Sequence, residues 1–402
     1  MALIVQKFGG SSVADAQRIF HVAEIITKTY QQGNSVCVVL SAQGDTTDDL
    51  IEKAREINPD ASRREMDMLL SCGEQMSIAL MAMAIEKLGF PVVSLCAWQI
   101  GMATDSNHSA AHITKVDCER VKEELDRKRI VLAAGFQGVD RTGDITTLGR
   151  GGSDTTAVAL AVALQADLCQ IYTDVDGVYT SDPRIVPEAR KLSEITYDEM
   201  LELASMGAQV LHNRSVELAK SYGVQLEVLS SFTGNPGTIV KEVVKKVEKT
   251  YITGVAQDKK IARFALVGLE DVPGVAYKLF NLLAKDKINV DMIIQSLGHD
   301  ERKDIIFTVA DKDSMACARL LDENKDILKY DHMDINTGVS KVSIVGAGML
   351  ENAGVAAKMF EALYQAHINI HMISTSEIKV SVLIDKEDSD RAVRVIHNIF
   401  FQ

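Results

Sequence analysis

Two clusters of glycine and hydroxyl residues carry groups suited to handling phosphate. The first, Lys7-Phe8-Gly9-Gly10-Ser11-Ser12, follows the short apolar run Leu3-Ile4-Val5. It precedes apolar positions at Ile19, Val22, Ile25 and Ile26, a helical spacing. Strand, glycine turn and helix make an anion site: glycines admit backbone N–H groups to phosphate oxygens, and the helix start adds free donors. Lys7 adds a mobile point charge. An ordinary turn with a surface lysine is the plainer reading of this hexapeptide alone. The second cluster, Gly149-Arg150-Gly151-Gly152-Ser153-Asp154-Thr155-Thr156, opens an alanine-rich helical run and adds a guanidinium and a carboxylate. Two such loops facing each other across the end of one sheet suit phosphoryl transfer between two anionic molecules.

Other polar groups fall at the ends of predicted strands. Ser41 to Thr47 follows the apolar run 36–40, where hydroxyls either hold substrate or cap the next helix. Glu74 sits inside a long, methionine-rich predicted helix over 64–87 and needs a partner there. A substrate ammonium would serve, as would a protein lysine or arginine. Thr173-Asp174-Val175-Asp176-Gly177-Val178-Tyr179, leading to Asp182-Pro183-Arg184, offers hydroxyls, carboxylates, an aromatic ring and a guanidinium for a nucleotide. Its acidic spacing does not complete a calcium loop. His108 and His112 have helical spacing without the pattern of a zinc protease. Val345-Gly346-Ala347-Gly348 fails as a dinucleotide fingerprint, because Glu351 occupies the third glycine position.

Further strands are predicted at 92–95, 130–134, 168–172 and 224–229, a hairpin around 141–144, where Thr-Gly-Asp is turn-like, and helices at 49–57, 196–206 and 212–222. Strands separated by helices imply a mostly parallel sheet covered on both faces, with ligands at the strand ends. The 402 residues allow two or three domains. A composition 47% hydrophobic and 25% charged is that of a globular chain. The net charge of -13 argues against a general nucleic-acid or anionic-membrane binder. The six cysteines are scattered, with no close pair for zinc or redox work. No secretion signal and no stretch long enough to span a bilayer are expected, which predicts a cytoplasmic protein without membrane partners.

The last third repeats itself. Pro273-Gly274-Val275-Ala276 matches Ala353-Gly354-Val355-Ala356, and Ile288-Asn289-Val290 matches Ile368-Asn369-Ile370, both at an offset of 80. Each unit reads strand, helix, strand, strand, helix, but only the first has a closing strand, near 328–336. The unassigned run Tyr251-Ile252-Thr253-Gly254-Val255 is expected to complete the second unit's sheet, since an uncovered edge invites pairing with another chain.

Together the 7–12, 71–74, 149–156 and 173–184 segments resemble the aspartokinase family over essentially the whole chain. The resemblance implies an α/β amino-acid kinase fold, a carbamate-kinase-like αβα sandwich with a mostly parallel sheet, over residues 1–248. Two interlocked βαββαβ ACT domains follow, at 262–339 and at 249–261 plus 340–402. It implies ATP-dependent phosphorylation of the L-aspartate β-carboxylate, the step that opens lysine, threonine and methionine synthesis. The carboxylate is already ionised at neutral pH and needs no general base. Lys7, Gly9 and Gly10 would meet the phosphates, with Asp154 organising Lys7. Ser41, Thr47, Glu74, Arg150 and Ser153 would hold aspartate, Arg150 on its α-carboxylate and Glu74 on its ammonium. Phe8, Thr173, Asp174, Tyr179, Arg184, Gln209 and Val210 would meet ATP, with Mg2+ held chiefly by phosphates and no protein metal ligand assigned. Asp271, Pro273, Gly274, Asn289, Gln295, Glu351 and Thr375 match places that hold an effector, here lysine and/or threonine. A homodimer or higher oligomer through the ACT domains, and a separately made tail-only subunit, also follow from the family.

Two positions depart from the family pattern. Gln43 replaces a methionine in the usual Ser-Ala-Met-Gly, and Gln209 replaces a lysine near the nucleotide, predicting weaker ATP affinity rather than lost catalysis. A kinase for another acidic amino acid and a non-catalytic amino-acid sensor are the rival readings.

Overall fold

The computed structural model describes residues 2–204, 210–244, 251–297, 302–349, 352 and 354–402. They form two compact units, one of residues 1–179 with 191–245, the other of 180–190 with 246–402.

The first unit opens with β1 (Leu3–Phe8), α1 (Ala16–Gln31), β2 (Ser35–Leu40) and three helices, α2 (Thr46–Ile57), α3 (Arg63–Leu70) and α4 (Cys72–Lys87). Next come β3 (Val92–Leu95), β4 (Met102–Thr104), β5 (Ile113–Val116), α5 (Glu119–Asp126) and β6 (Ile130–Ala134). Then follow β7 (Gln137–Val139), β8 (Ile145–Thr147), α6 (Gly152–Leu164) and β9 (Leu168–Thr173). The unit closes with β10 (Glu194–Thr196), α7 (Tyr197–Leu203), α8 (Asn213–Tyr222), β11 (Leu226–Ser230) and β12 (Thr238–Lys241).

Eight strands form the main sheet in the order β10-β12-β11-β9-β1-β2-β6-β3, parallel except for β11 against β12. β1 lies between β2 and β9, with Lys7 paired to Val39 on one side and Ile171 on the other. Alternation along β1 explains its composition. Phe8 joins one face, packed with Val22, Ile26, Leu40, Met81 and Ile85 from β2, α1 and α4. Val5 and Lys7 point to the opposite face, where α6 lies buried along nearly its whole length.

A second, four-stranded sheet, β5-β4-β7-β8, is built from strands of three or four residues that sequence periodicity does not reveal. His108 and His112 fall in the β4–β5 connection rather than on a helix. The helix expected over 64–87 breaks at Ser71, between α3 and α4. The run Arg63–Lys87 nonetheless corrects the expectation that no stretch suffices to cross a bilayer: its best window has mean hydropathy 1.5. Half of that window is buried, and Ile78, Met81, Ala84 and Ile85 belong to the core against the sheet. Apolarity here serves packing inside the protein.

The second unit begins with β13 (Gly254–Asp258) and β14 (Ile261–Glu270), then α9 (Val275–Lys285), β15 (Val290–Leu297) and β16 (Arg302–Ala310). Helices α10 (Ser314–Glu323) and α11 (Lys325–Leu328) precede β17 (His332–Asn336). The second repeat supplies β18 (Val339–Val345), α12 (Val355–Gln365), β19 (Met372–Thr375), β20 (Lys379–Asp385) and α13 (Ser389–Phe401). The two sheets run β15-β16-β14-β17 and β19-β20-β18-β13. β13 therefore stands where β17 stands in the first repeat, antiparallel to β18 with Gly254 opposite Val345. Ile261, Met292, Val339, Met372 and Leu383 pack the sheets together. The helices cover the outer faces, with Phe264, Leu279, Phe307 and Leu321 in one core and Ile344, Met359, Val382 and Ile396 in the other. Gly346 is glycine because the chain at Tyr251 crosses over it: a Cβ there would lie 2.2 Å from the Tyr251 carbonyl oxygen.

Residues 180–190 were expected with the first 248, yet they pack in the second unit. Val186 and Ile185 join the core of the second repeat, and Thr180 accepts a bond from Val255 N–H at 2.8 Å. The Thr180 hydroxyl meets His397 Nε2 at 2.9 Å, and Arg394 donates to the Ile185 carbonyl.

Candidate active site

Loops at the carboxyl ends of the parallel strands converge, as open α/β sheets require of a ligand site. Backbone bonds stitch them together: Ser41 N–H to Phe8 O, Gly44 N–H to Gly10 O, Gly135 N–H to Leu40 O and Ser231 N–H to Thr173 O. Gly10 must be glycine because a Cβ would come within 2.5 Å of the Ala42 carbonyl oxygen. That close approach puts the 9–12 turn directly against the 41–44 turn.

Lys7 leaves the end of β1 and Asp154 the first turn of α6, and they meet at 2.7 Å, Nζ to Oδ1, each side chain 12% exposed. The contact is close but not aligned as a hydrogen bond, so charge holds the ammonium. Asp154 gains from the positive end of the α6 dipole. Gly151 caps α6 in the left-handed region, φ 69°. A Cβ on Gly151 would strike the His212 ring at 2.2 Å, so the backbone of the 149–152 loop packs flush against His212. Ser153 is buried against Gly135. Arg150 is exposed at the loop's crest.

Glu74 lies in the first turn of α4, only 3% exposed. One oxygen accepts the Ala42 N–H at 3.1 Å, and the other has no hydrogen-bond partner among the described residues. α4 reaches this position because Gly73 abuts Ala42, with only 2.7 Å between a would-be Cβ and the alanine methyl. Burial pushes the Glu74 carboxyl up to about 7, against the opposing pull of the Ala42 N–H and its own N–H. The salt bridge to a protein cation that would explain such a residue blandly is not formed among the described residues. What remains is a socket for a cation.

Gln43, the departure on the 41–47 turn, donates to Val13 O at 2.8 Å and ties that turn to the glycine loop. Ser41 and Thr47 are half-buried on the same turn and the start of α2. Phe8 stacks on Tyr172 at 4.4 Å, which fixes the end of β1.

On the nucleotide side, Thr173 donates to Asp174 at 3.0 Å and Tyr179 to Asp176 at 2.7 Å. Asp176, which the sequence suggested only as part of a failed calcium loop, is the hub of this segment. It also accepts from Lys191 at 3.3 Å and Asn235 at 3.1 Å, and these partners hold its carboxyl below the usual range, the Tyr179 hydroxyl foremost. Lys191 is a cation the sequence reading missed; no local motif announces it. Arg184 falls in the second unit, 89% exposed and forked onto Asp182 at 2.7 Å. Val210 is half-buried beside Leu211 and His212. Gln209 and Glu351 lie outside the described residues.

The ligand atoms of His108, Asp140 and Asp144 lie within 4.8 Å of one another. Each is already engaged, His108 by Asp67, Asp140 by Thr142 and Ser106, and Asp144 by Arg64. These protein partners account for the cluster without a metal.

In the second unit, Gly274 and Gly354 cap α9 and α12 with the same left-handed φ of 96°, so the repeat extends to backbone conformation. Pro273, Asn289, Gln295 and Thr375 are exposed. Asp271 pairs with Lys303 at 3.0 Å, and that lysine is nearly buried. Ile378 stands at the equivalent place in the second repeat, because Phe307 opposite Ile293 corresponds to Val382 opposite Ile373, so of these two positions only that in the first repeat carries a cation.

Residues 2–230 match the amino acid kinase family, and 264–324 with 342–400 match the ACT domain. An aspartokinase of Mycolicibacterium smegmatis is 50% identical over 405 aligned residues, covering 100% of this chain and 96% of that one. An aspartokinase of Bacillus sp. (strain MGA3) is 48% identical over 400 residues, covering 100% and 97%. The crystal structure of E. coli aspartokinase III with aspartate and ADP (R-state) aligns with TM-score 0.84 at 26% identity over 100% of both chains. The same enzyme with lysine and aspartate (T-state) aligns with TM-score 0.78 at 25% identity over 100% of both.

Proposed function

The chain belongs to the aspartokinase family, and from that premise we propose how its residues move a phosphoryl group from ATP to the β-carboxylate of L-aspartate. The observation that carries the reading is Glu74, a buried carboxylate with an oxygen that has no hydrogen-bond partner among the described residues, poised for a substrate ammonium. Arg150 takes the α-carboxylate with its planar fork. Ser41, Thr47 and Ser153 orient the rest, leaving the β-carboxylate as the attacking group.

Lys7 and the Gly9-Gly10 amides neutralise the phosphate oxygens in transit, which is most of what phosphoryl transfer asks of a protein. Asp154 holds Lys7 in place. Phe8, Thr173, Asp174, Tyr179 and Val210 line the nucleotide, with Gln209 at the place of the missing charge. Arg184 is not carried forward, since Asp182 already occupies its guanidinium. Magnesium would come with the nucleotide and would supply charge neutralisation at its phosphates. Asp154, the carboxylate beside Lys7, is committed to that lysine, so no dedicated protein ligand is assigned.

The tandem repeat is proposed as a pair of ACT domains, at 262–339 and at 249–261 with 340–402, binding lysine and/or threonine. Asp271, Pro273, Gly274, Asn289 and Gln295 form the first pocket, and Thr375 with Glu351 the second. The complex of E. coli aspartokinase III with lysine and aspartate supports lysine as an effector. Assembly as a homodimer or higher oligomer through the tail, a separate tail-only subunit and a cytoplasmic location complete the proposal.

The test is a hydroxamate assay with ATP and a panel of amino acids. Aspartate should give acyl phosphate and glutamate little; equal turnover of glutamate, or none of either, overturns the assignment. In the same assay Gln209→Lys should lower the Michaelis constant for ATP, and an unchanged constant rejects the role given to that position. Equilibrium dialysis should find lysine or threonine bound, and binding of neither overturns the regulatory part.

A further inference from the structure

Asp67 is a carboxylate with zero exposure on α3, outside the groups that meet substrate or phosphate. A charge removed from water this fully must be compensated. Thr147 donates to it from both N–H at 3.0 Å and hydroxyl at 2.7 Å. Ser109 donates from its N–H at 2.9 Å and its hydroxyl at 3.3 Å, and His108 Nδ1 lies at 3.1 Å. The carboxylate thus joins the last residue of β8 to the 105–112 loop. Three residues beyond Thr147 stands Arg150.

The path from Asp67 to Arg150 is short and rigid. Ser109 holds a left-handed φ of 69°, and its carbonyl oxygen would lie 3.1 Å from a Cβ on Gly149. Ala111 N–H donates to Thr147 O at 2.9 Å. From the other side, Arg214 on α8 donates to Leu148 O at 3.0 Å and Ala111 O at 2.9 Å. Between these anchors the backbone has no slack before the loop crest. Among the described residues nothing comparable holds the Arg150 side chain itself, so its place follows from the place of the loop's root.

We infer that Asp67 is a positioning residue for aspartate recognition: by clamping Thr147 and Ser109 it sets where the Arg150 guanidinium meets the substrate α-carboxylate. The inference rests on the assignment of Arg150 to that carboxylate. It gives the enzyme selectivity for an α-carboxylate through a group that never touches the ligand. Asn at this position keeps the shape but turns an amide NH2 toward N–H donors, so the root of the loop must shift.

The experiment compares L-aspartate with its α-amide as substrates of the full chain. D67N should raise the Michaelis constant for aspartate at least tenfold, leave kcat within about threefold and the ATP constant within about twofold. The preference for aspartate over the α-amide should fall at least fivefold. T147V, which removes one donor and keeps the backbone bond, should move the same preference in the same direction by less. It decides the matter alone if D67N does not fold. Equal losses on both substrates, a moved ATP constant, or an unchanged preference in a folded variant overturns the role of Asp67. R150A separates the two claims. If it loses the preference while D67N and T147V keep it, only the positioning role falls; if it keeps the preference, the Arg150 assignment falls and takes this inference with it.

Discussion

Replacing Lys7 with methionine is expected to lower kcat by about 10²–10³-fold, with the Michaelis constant for aspartate nearly unchanged. Removing one preorganised donor from a developing oxyanion costs ~3–4 kcal/mol in the transition state, and Lys7 carries a full charge into a site only 12% open at its side chain. Methionine matches the length of the stem and packs as well, so the fold should survive. The change also strands Asp154, an anion with no other cation partner among the described residues, beside the incoming phosphates. The double variant with Asp154→Asn should therefore be less impaired than the sum of the two single changes. Steady-state kinetics on the three variants checks this. A Lys7→Met enzyme with kcat within threefold of the parent overturns the role given to the lysine.

The residues of this site were readable in the chain because their chemistry is unusual where they stand. A lysine before two glycines at the end of an apolar run, or a glutamate inside a methionine-rich helix, needs an explanation in one dimension. The tail was readable for another reason: the offset of 80 exposes the repeat, and the lack of a closing strand in the second copy leaves 251–255 as the segment to fill it. Asp67 gave no such signal. In Arg63-Arg64-Glu65-Met66-Asp67 it reads as one more charge on a solvated face, and its burial depends on Ser109 and Thr147, 42 and 80 residues away. Of the small sheet only the hairpin at 141–144 was legible, from its turn residues, since strands of three or four residues carry too little alternation to register. Residues 180–190 join the second unit through three apolar side chains, one backbone bond and two bonds to side chains, below what composition can report.

Glu74→Gln should separate activity from stability more sharply than any other change in this site. Truncating one partner of a buried charge pair costs about 2–5 kcal/mol, so kcat/KM for aspartate should fall at least about thirtyfold. The parent enzyme should also show an acid limb in kcat/KM for aspartate, a tenfold loss per pH unit below about 7, because the substrate ammonium needs the ionised carboxylate. The glutamine variant should lack that limb. Stability should move the other way. The carboxyl is raised from 4.5 in the unfolded chain to about 7 in the fold, so its stabilising contribution is complete below pH 4.5 and is lost as pH rises through about 7. The cost of holding the charge above that pH is about 3 kcal/mol, and glutamine escapes it. Without substrate, Glu74→Gln should melt above the parent at pH 8 and close to it at pH 4.5; with aspartate added, only the parent should gain. A variant that is less stable at pH 8 would mean that a protein cation already satisfies Glu74. The ammonium would then have no socket, and aspartate would have to be held by other means.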